Sequence, residues 1–208
     1  MSVSPLDDIV EISKRCESLR LALAEADDDF KTIPNKKYLY LCEVTGERPN
    51  FTFLCFSQGT HGDTLDLHRS YLGQRALLPI LLTLPLCPWI SHINLSEERL
   101  TTTLIQLLCA SLQNLPRVRT IDVSGNPFGS YGVRSLLTLV LRNRSIVDCR
   151  VDGVQCVGAL LRRLYMACER NKLNAIQSKD TSLNSSVSSS ESTFTDERNP
   201  DERSDENM

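Results

Sequence analysis

The chain has 208 residues, a formal net charge of -3 and an apolar fraction of 41%, which suits one folded domain with extensions. Eight acidic and three basic residues from Lys179 onward give that segment a net charge of -5, so the preceding body carries +2 and neither part resembles a nucleic-acid binder. The most apolar stretch, Ala76 to Leu86, is about half a membrane span and contains two prolines, which excludes a membrane role.

Residues 1–30 are predicted to form an amphipathic helix. Ser4 as N-cap, Pro5 at the first helical position and acids at Asp7 and Asp8 are start signals. Asp27–Asp29 should end the helix, because negative charge opposes the dipole there. The apolar stripe, with spacings of three and four, is Ile9, Ile12, Cys16, Leu19, Leu23 and Ala26. We expect this stripe to pack on the adjoining domain. A partner-binding or dimerising helix is the alternative, less favoured because so short a coiled-coil seam is marginal.

Residues 31–61 are predicted to cap the domain that follows, with Lys37 to Ser57 as the core of the cap. Tyr38 and Leu41 have helical spacing, Gly46 breaks the pattern, and a second apolar run covers Phe51 to Phe56. These features favour a helix–turn–helix. A β-hairpin that pairs residues 38–44 with 51–56 is the alternative, since aromatic residues and alternation also suit strands.

Residues 62–173 contain about four copies of a 28-residue pattern. Two apolar columns suit short strands: Leu65, Ile93, Ile121 and Cys149, and Leu67, Leu95, Val123 and Val151. Three more fall at helical spacing within each copy: Leu77, Ile105, Val133 and Leu161; Ile80, Leu108, Leu136 and Leu164; and Leu84, Leu112, Val140 and Cys168. Each copy therefore predicts a short strand followed by a helix, and the copies should stack to bury their apolar faces.

Residues 174–208 are predicted to be a disordered, Ser-rich acidic tail. The last helix should run from Val157 to Lys172, and beyond Gln177 almost nothing is apolar. Acids follow the serine run 185–190, which would suit an acid-directed kinase; a plain solubilising tail is the alternative.

The segment Val118-x-x-Ile121-x-Val123-x-x-Asn126-x-Phe128 matches the leucine-rich-repeat template L-x-x-L-x-L-x-x-N-x-L. With its 28-residue period, the region Gly62–Cys168 resembles the ribonuclease-inhibitor-like class of leucine-rich repeats, also used by tropomodulins and the Ran GTPase-activating protein. The resemblance implies an α/β fold: a short right-handed solenoid with parallel strands on the concave face, helices on the convex face, a helical N-terminal cap and a disordered tail.

Departures from the template concern its asparagine, which in this family bonds loop backbone between repeats. Only Asn126 fills that position here. Ser70 should substitute in part, whereas Glu98 and Val154 should not in the usual way. The copy around Asn126 is therefore expected to be the best formed, and the last copy to be degenerate.

No pattern indicates catalysis. The chain has no phosphate-binding loop, nucleophile elbow or H-E-x-x-H motif. His68 and His92 should lie roughly 13 Å apart along the strands, too far to share a metal. The eight cysteines are scattered without a C-x-x-C pair. We therefore expect no enzyme, no cofactor and no metal site.

The register instead predicts a polar, mildly acidic concave surface that binds another protein, with acids favouring a basic partner and Arg150 as the one long anchor. Its candidate residues are Thr64, Asp66, His68, His92, Asn94, Ser96, Thr120, Asp122, Ser124, Asp148, Arg150 and Asp152. A solvated concave face, with the partner on the convex helices or the N-terminal helix, is the alternative.

The expected function is a non-enzymatic adaptor or scaffold. The start of the chain has no basic and apolar leader, so we expect a cytoplasmic location. The resemblance extends this to the cytoskeleton or cilium. The alternative is a regulator of an enzyme such as a small GTPase, which the small number of repeats disfavours. Homo-oligomerisation through the N-terminal helix is not favoured.

Overall fold

The computed structural model describes residues 5–187, which form an α/β fold with one four-stranded parallel sheet. Its helices are α1 (Pro5–Glu25), α2 (Asp28–Thr32), α3 (Pro34–Thr45), α4 (Phe51–Ser57), α5 (Gly73–Thr83), α6 (Thr102–Leu112), α7 (Gly129–Arg142) and α8 (Gly158–Val187). The strands are β1 (Thr64–Asp66), β2 (His92–Asn94), β3 (Thr120–Asp122) and β4 (Asp148–Arg150), and a 3-10 turn covers Leu84–Leu86. The described residues up to Asn174 form one compact unit and those from Ala175 another.

The four strands pair in sequence order, and each residue pairs with its counterpart 28 positions further on. Leu65 lies opposite Ile93, Ile93 opposite Ile121, and Ile121 opposite Cys149. This confirms the predicted strand–helix units and their register without an insertion. Parallel pairing needs a crossover between strands, and in each of the first three units one helix supplies it.

The apolar columns form the core. Every residue of the two strand columns is buried, and so are those of the helix columns except Leu161, which is half-buried against the core. Strand residues alternate between this core and the opposite face, as the period of two requires. The last unit, expected to be degenerate, keeps this arrangement, because Cys149 and Cys168 fill the places of larger residues.

Buried polar side chains tie the loop of one unit to the loop of the next. Asn126 donates from Nδ2 to the carbonyls of Leu95 and Val123, and its Oδ1 accepts from the backbone of Leu100 at 2.8 Å. The sequence prediction for Glu98 was wrong. Its carboxylate is 1% exposed and accepts from the backbone of Tyr71 and Leu72 at 3.0 and 3.1 Å. Glu98 thus takes over the acceptor role of the template asparagine.

Ser70, which was expected to substitute in part for that asparagine, lies on the surface. In the first unit no earlier strand–helix unit offers a loop for it to bond. The substitution predicted there is therefore also wrong.

Two further buried asparagines bond carbonyls at the carboxyl end of the preceding helix. Asn143 donates from Nδ2 to the carbonyls of Leu112 and Leu115, at 3.2 and 2.9 Å. Asn171, 28 residues later, donates in the same way to Val140 and Ile146, at 3.0 and 2.9 Å. These contacts satisfy carbonyls that a helix end leaves without a partner.

The helix α1 packs on the rest of the unit through its predicted stripe. Ile12, Cys16 and Leu19 are buried, and Leu23 lies partly buried against the core. Neighbouring helices are α3 and α6, and the hydroxyl of Tyr40 donates to the carbonyl of Ala22. The stripe is thus used within the chain, as expected. The predicted N-cap Ser4 lies outside the described residues.

The acids Asp27–Asp29 follow the end of α1 at Glu25, as predicted, but they also begin the next helix. Asp28 and Asp29 occupy the first turn of α2, where negative charge is stabilised by the helix dipole.

The cap is a helix–turn–helix, and the alternative hairpin was wrong. Helix α3 begins at Pro34, before the predicted Lys37, and ends where Gly46 adopts a φ of 67°. Asn50 then caps α4 by accepting from the backbone of Phe53 at 2.9 Å. The ring of Tyr38 packs edge-on against Phe53, at 4.6 Å between centroids. Aromatic side chains pack inside the cap, which explains why its composition resembled that of β-strands.

The last helix is longer than predicted. Helix α8 continues from Gly158 to Val187, so residues 174–187, expected to be disordered, are helical. The expectation for residues 188–208 falls outside the described part of the chain. Across the described residues, no helix combines the length and apolar character that a membrane crossing requires.

Replacing Glu98 should test its role in joining the loops. The Glu98→Ala variant leaves two backbone N–H groups without their acceptor, so we expect it to lower the free energy of unfolding by about 2–3 kcal/mol. Ser70→Ala, at the equivalent but exposed position, should change it by about 0.5 kcal/mol or less. Urea unfolding followed by circular dichroism measures both. Equal effects of the two variants would contradict the assignment.

The buried thiols should be protected in the folded protein. Burial raises the pKa of Cys87 to about 12 and of Cys168 to about 11, and raises that of Cys149 well above its usual value. Since the thiolate is the nucleophile, iodoacetamide at mildly alkaline pH should leave these three unmodified until denaturant is added. The half-buried Cys55 and Cys156 should react first. Peptide mass spectrometry reads out each site, and early labelling of Cys149 would show that the core opens.

Candidate functional site

The strand residues that point away from the core form a polar groove on the sheet. It has a volume of about 420 Å³ and brings together eight predicted residues, with Ile93 and Ile121 of the strands beneath them. These eight are Thr64, Asp66, His92, Asn94, Thr120, Asp122, Asp148 and Arg150. We call this surface the polar sheet face. Strand pairing places the side chains of each row side by side.

The last residues of the first three strands each bond to the loop that follows the strand. Asp66, Asn94 and Asp122 each accept, through Oδ1, from the backbone N–H two residues further on, at 3.0, 3.1 and 3.0 Å. This local bond fixes the side chain, so little conformational entropy remains to be lost on binding. Each aspartate still has its second carboxylate oxygen for a partner. Because the amide of Asn94 makes the same bond as the two carboxylates, this bond needs a side-chain oxygen at Oδ1 but not a negative charge.

The two histidines are hydrogen-bonded across neighbouring units. His68 Nδ1 lies 2.7 Å from Ser96 Oγ, and His92 Nδ1 lies 2.6 Å from Thr120 Oγ1. Both pairs are 28 residues apart, and the two histidines bond to different hydroxyls. Among the described residues, no group of three or more His, Cys, Asp or Glu side chains is placed to hold a metal ion.

The charge of the groove is negative. Its lining contains three aspartates, Asp66, Asp122 and Asp148, and one arginine, Arg150. Arg150, which was predicted to be the one long anchor, has its Nε 3.0 Å from Asp148 Oδ2 in an exposed ion pair. The remaining aspartates have no such counter-ion within the described chain. The face therefore favours a positively charged partner.

Four predicted residues lie outside the groove, towards the loops that follow the strands. They are His68, Ser96, Ser124 and Asp152. Ser96 is 7% exposed, and its hydroxyl donates to Asn94 Oδ1 at 2.6 Å, so it is unavailable to a partner. Ser124 Oγ accepts from the backbone of Asp152 at 3.1 Å. Of the four, the exposed His68 and Asp152 extend the polar sheet face at its rim.

The sequence prediction missed a column of residues with left-handed backbone in these loops. Arg69, Glu97, Gly125 and Gly153 recur every 28 residues, with φ of 52°, 60°, 69° and 74°. Arg69 and Glu97 form a two-pronged ion pair at 2.8 and 2.9 Å, and the pKa of Glu97 is lowered by that hydrogen bond and by the positive charge. Glycines in the later units were the available signal, because glycine tolerates positive φ.

No family model matches the sequence, and no curated protein matches it. Among solved structures, the chain is similar to one described as "Leiomodin-1 Actin-Binding Site 2 (ABS2)", with a TM-score of 0.50 and 10% identity. The match covers 73% of this chain and 96% of that chain. At this identity the likeness is one of fold, and it supports a leucine-rich-repeat-like arrangement of the α/β units.

The left-handed column gives a test of how the loops pack. A Cβ on Gly125 would lie 2.9 Å from Glu97 Cγ, whereas one on Gly153 meets only ordinary contacts. We expect Gly153→Ala to cost about 1 kcal/mol of stability from φ alone, and Gly125→Ala about 2 kcal/mol. In a Glu97→Ala background the cost of Gly125→Ala should fall to about 1 kcal/mol, because the crowding atom is gone. Urea unfolding measures all four variants, and an unchanged cost in that background would refute the packing argument.

Proposed function

We propose that residues 62–173 form a short right-handed leucine-rich-repeat solenoid that acts as a non-enzymatic adaptor or scaffold for another protein. The single observation that carries this proposal is the polar sheet face. It is a groove of about 420 Å³ with pre-positioned side chains and more aspartates than cations. On this proposal the face is the concave surface of the solenoid.

The chemistry of the groove suits a basic loop or helix of the partner. Threonine and asparagine side chains between the aspartates are short, so a partner's backbone can come close to the strands. The fixed carboxylates can accept from arginine or lysine without first being ordered. Such complementarity gives specificity and a faster encounter.

The N-terminal helix is the weaker candidate for binding. Its apolar stripe is buried against α3 and α6, so a partner or second copy could reach that stripe only after the helix detached. We therefore propose that α1 stabilises the unit and does not make the protein a dimer.

A cytoskeletal role is the more specific part of the proposal. It is supported by the fold likeness to an actin-binding site of leiomodin-1 and by the resemblance of the repeats to those of tropomodulins. We propose a cytoplasmic protein that joins cytoskeletal assemblies, with actin filaments as the first partner to examine.

Removing the charges of the polar sheet face should abolish binding without unfolding it. In Asp66→Asn/Asp122→Asn/Asp152→Asn the Oδ1 acceptor remains, as Asn94 demonstrates. We expect this variant to retain less than about a tenth of the proteins that the wild type retains from a cytoskeletal extract. Purified actin filaments, sedimented with each variant, test the cytoskeletal part separately.

The matched control is Glu17→Gln/Glu25→Gln/Glu43→Gln, which changes the net charge equally at exposed positions of α1 and α3. It should bind like the wild type. Identical partners for wild type and the aspartate variant would exclude the polar sheet face as the binding surface.

A further inference from the structure

A cluster of basic side chains lies on the edge where helices lead into strands, away from the polar sheet face. Its members are Arg117, Arg119, Arg142, Arg144, Arg170 and Lys172, all exposed. We call it the basic edge. We propose that the basic edge binds an acidic polypeptide segment that carries an apolar side chain. This is a second surface, which goes beyond the proposed role of the polar sheet face and does not depend on it.

Hydrogen bonds between successive loops bring these residues together. The hydroxyl of Ser145 donates to the carbonyl of Val118 at 2.8 Å, which places Arg144 beside the segment that holds Arg117 and Arg119. The backbone of Val147 donates to the carbonyl of Arg119 at 2.9 Å. All strands are parallel, so both loops enter the sheet at the same edge.

Buried asparagines turn four of the six cations outward, Arg144 among them. The triplets Arg142-Asn143-Arg144 and Arg170-Asn171-Lys172 are 28 residues apart. In each, the asparagine is buried and donates to at least one carbonyl of the preceding unit. With the central side chain fixed inward, its two neighbours extend into solvent. The cations are thus arranged by the core and are not free to disperse.

The basic edge lacks internal compensation. Lys172 lies 3.7 Å from Glu169 in an exposed pair, whereas none of the five arginines has an ion pair within the described chain. Stabilisation of a helix end by positive charge explains Arg142, in the last turn of α7. It does not explain Arg170 and Lys172, because α8 continues beyond them to Val187. With Arg142 alone explained in this way, the other like charges of the repeated cluster favour a negatively charged ligand.

A polypeptide fits the surroundings better than a nucleic acid. Guanidinium groups pair with carboxylates and with phosphates alike through two parallel hydrogen bonds, so the choice between the two ligands depends on what surrounds the arginines. Next to the edge, a groove of about 240 Å³ runs between α6 and α7, with Arg142 at its wall. Cys109, Ala110 and Leu139 give its lining an apolar part, and the other lining side chains are polar. This groove can receive one apolar side chain. No aromatic residue belongs to the basic edge, so stacking of bases has no platform there.

The test uses the full chain and two fluorescent Glu-rich peptides, one with a central leucine and one without it. Anisotropy at low salt should show binding of both, tighter for the leucine peptide. In Arg117→Gln/Arg144→Gln/Arg170→Gln the dissociation constant should rise about tenfold. The control Arg75→Gln/Arg134→Gln/Arg162→Gln removes three exposed arginines elsewhere and should change it less than about twofold.

Several outcomes would overturn the proposal: no binding of either peptide by the wild type, equal weakening in the control, or a melting temperature that falls only in the edge variant. Tighter, equally sensitive binding of single-stranded DNA or phosphatidylserine vesicles would assign the edge to those ligands instead. The Asp66→Asn/Asp122→Asn/Asp152→Asn variant should bind the Glu-rich peptides normally. This result distinguishes failure of the proposal for the basic edge from failure of the proposal for the polar sheet face.

Discussion

Parallel pairing of strands that recur every 28 residues is the constraint on which the rest of the structure depends. Because the spacing is uniform, each side chain meets its own counterpart in the next unit. An apolar column then becomes a continuous buried row, and a polar column becomes a chain of hydrogen bonds such as His92 to Thr120. The same rule brings opposite charges into contact, as with Arg69 and Glu97. Both proposed binding surfaces are therefore products of the register.

Buried polar groups make this register specific. Apolar residues of similar size would pack in several alignments, but Asn126, Glu98, Asn143 and Asn171 each bond particular backbone groups of the preceding unit. A shift of the chain would leave those buried groups without partners, at a cost of about 1–3 kcal/mol each. The apolar core supplies the driving force, and these side chains select one alignment.

Sequence patterns predicted the strand–helix units, their core columns and the polar row on the sheet, since these follow from periodicity alone. The function of Glu98 could not be predicted from a template, because it is the two carboxylate oxygens at the template position that accept from Leu72, the equivalent of Leu100, and from Tyr71 beside it. Pairings such as Arg150 with Asp148 depend on side-chain conformation, which spacing does not specify. The length of α8 was underestimated because a low apolar content predicts that a segment lacks a buried core, and this does not by itself exclude a helix. The left-handed column was missed because two of its members are not glycine.

The buried asparagines also limit how such a chain can change in length during evolution. An insertion of one residue between a strand and its asparagine would turn that side chain away from the carbonyls it bonds, and a shift within a strand would exchange core and surface rows. Deletion or duplication of a complete 28-residue unit keeps the apolar columns in register, because the new neighbours present apolar residues at the same positions. This fold can therefore acquire new partners by gaining or losing whole units. It can also do so by substitution at exposed positions such as those of the basic edge.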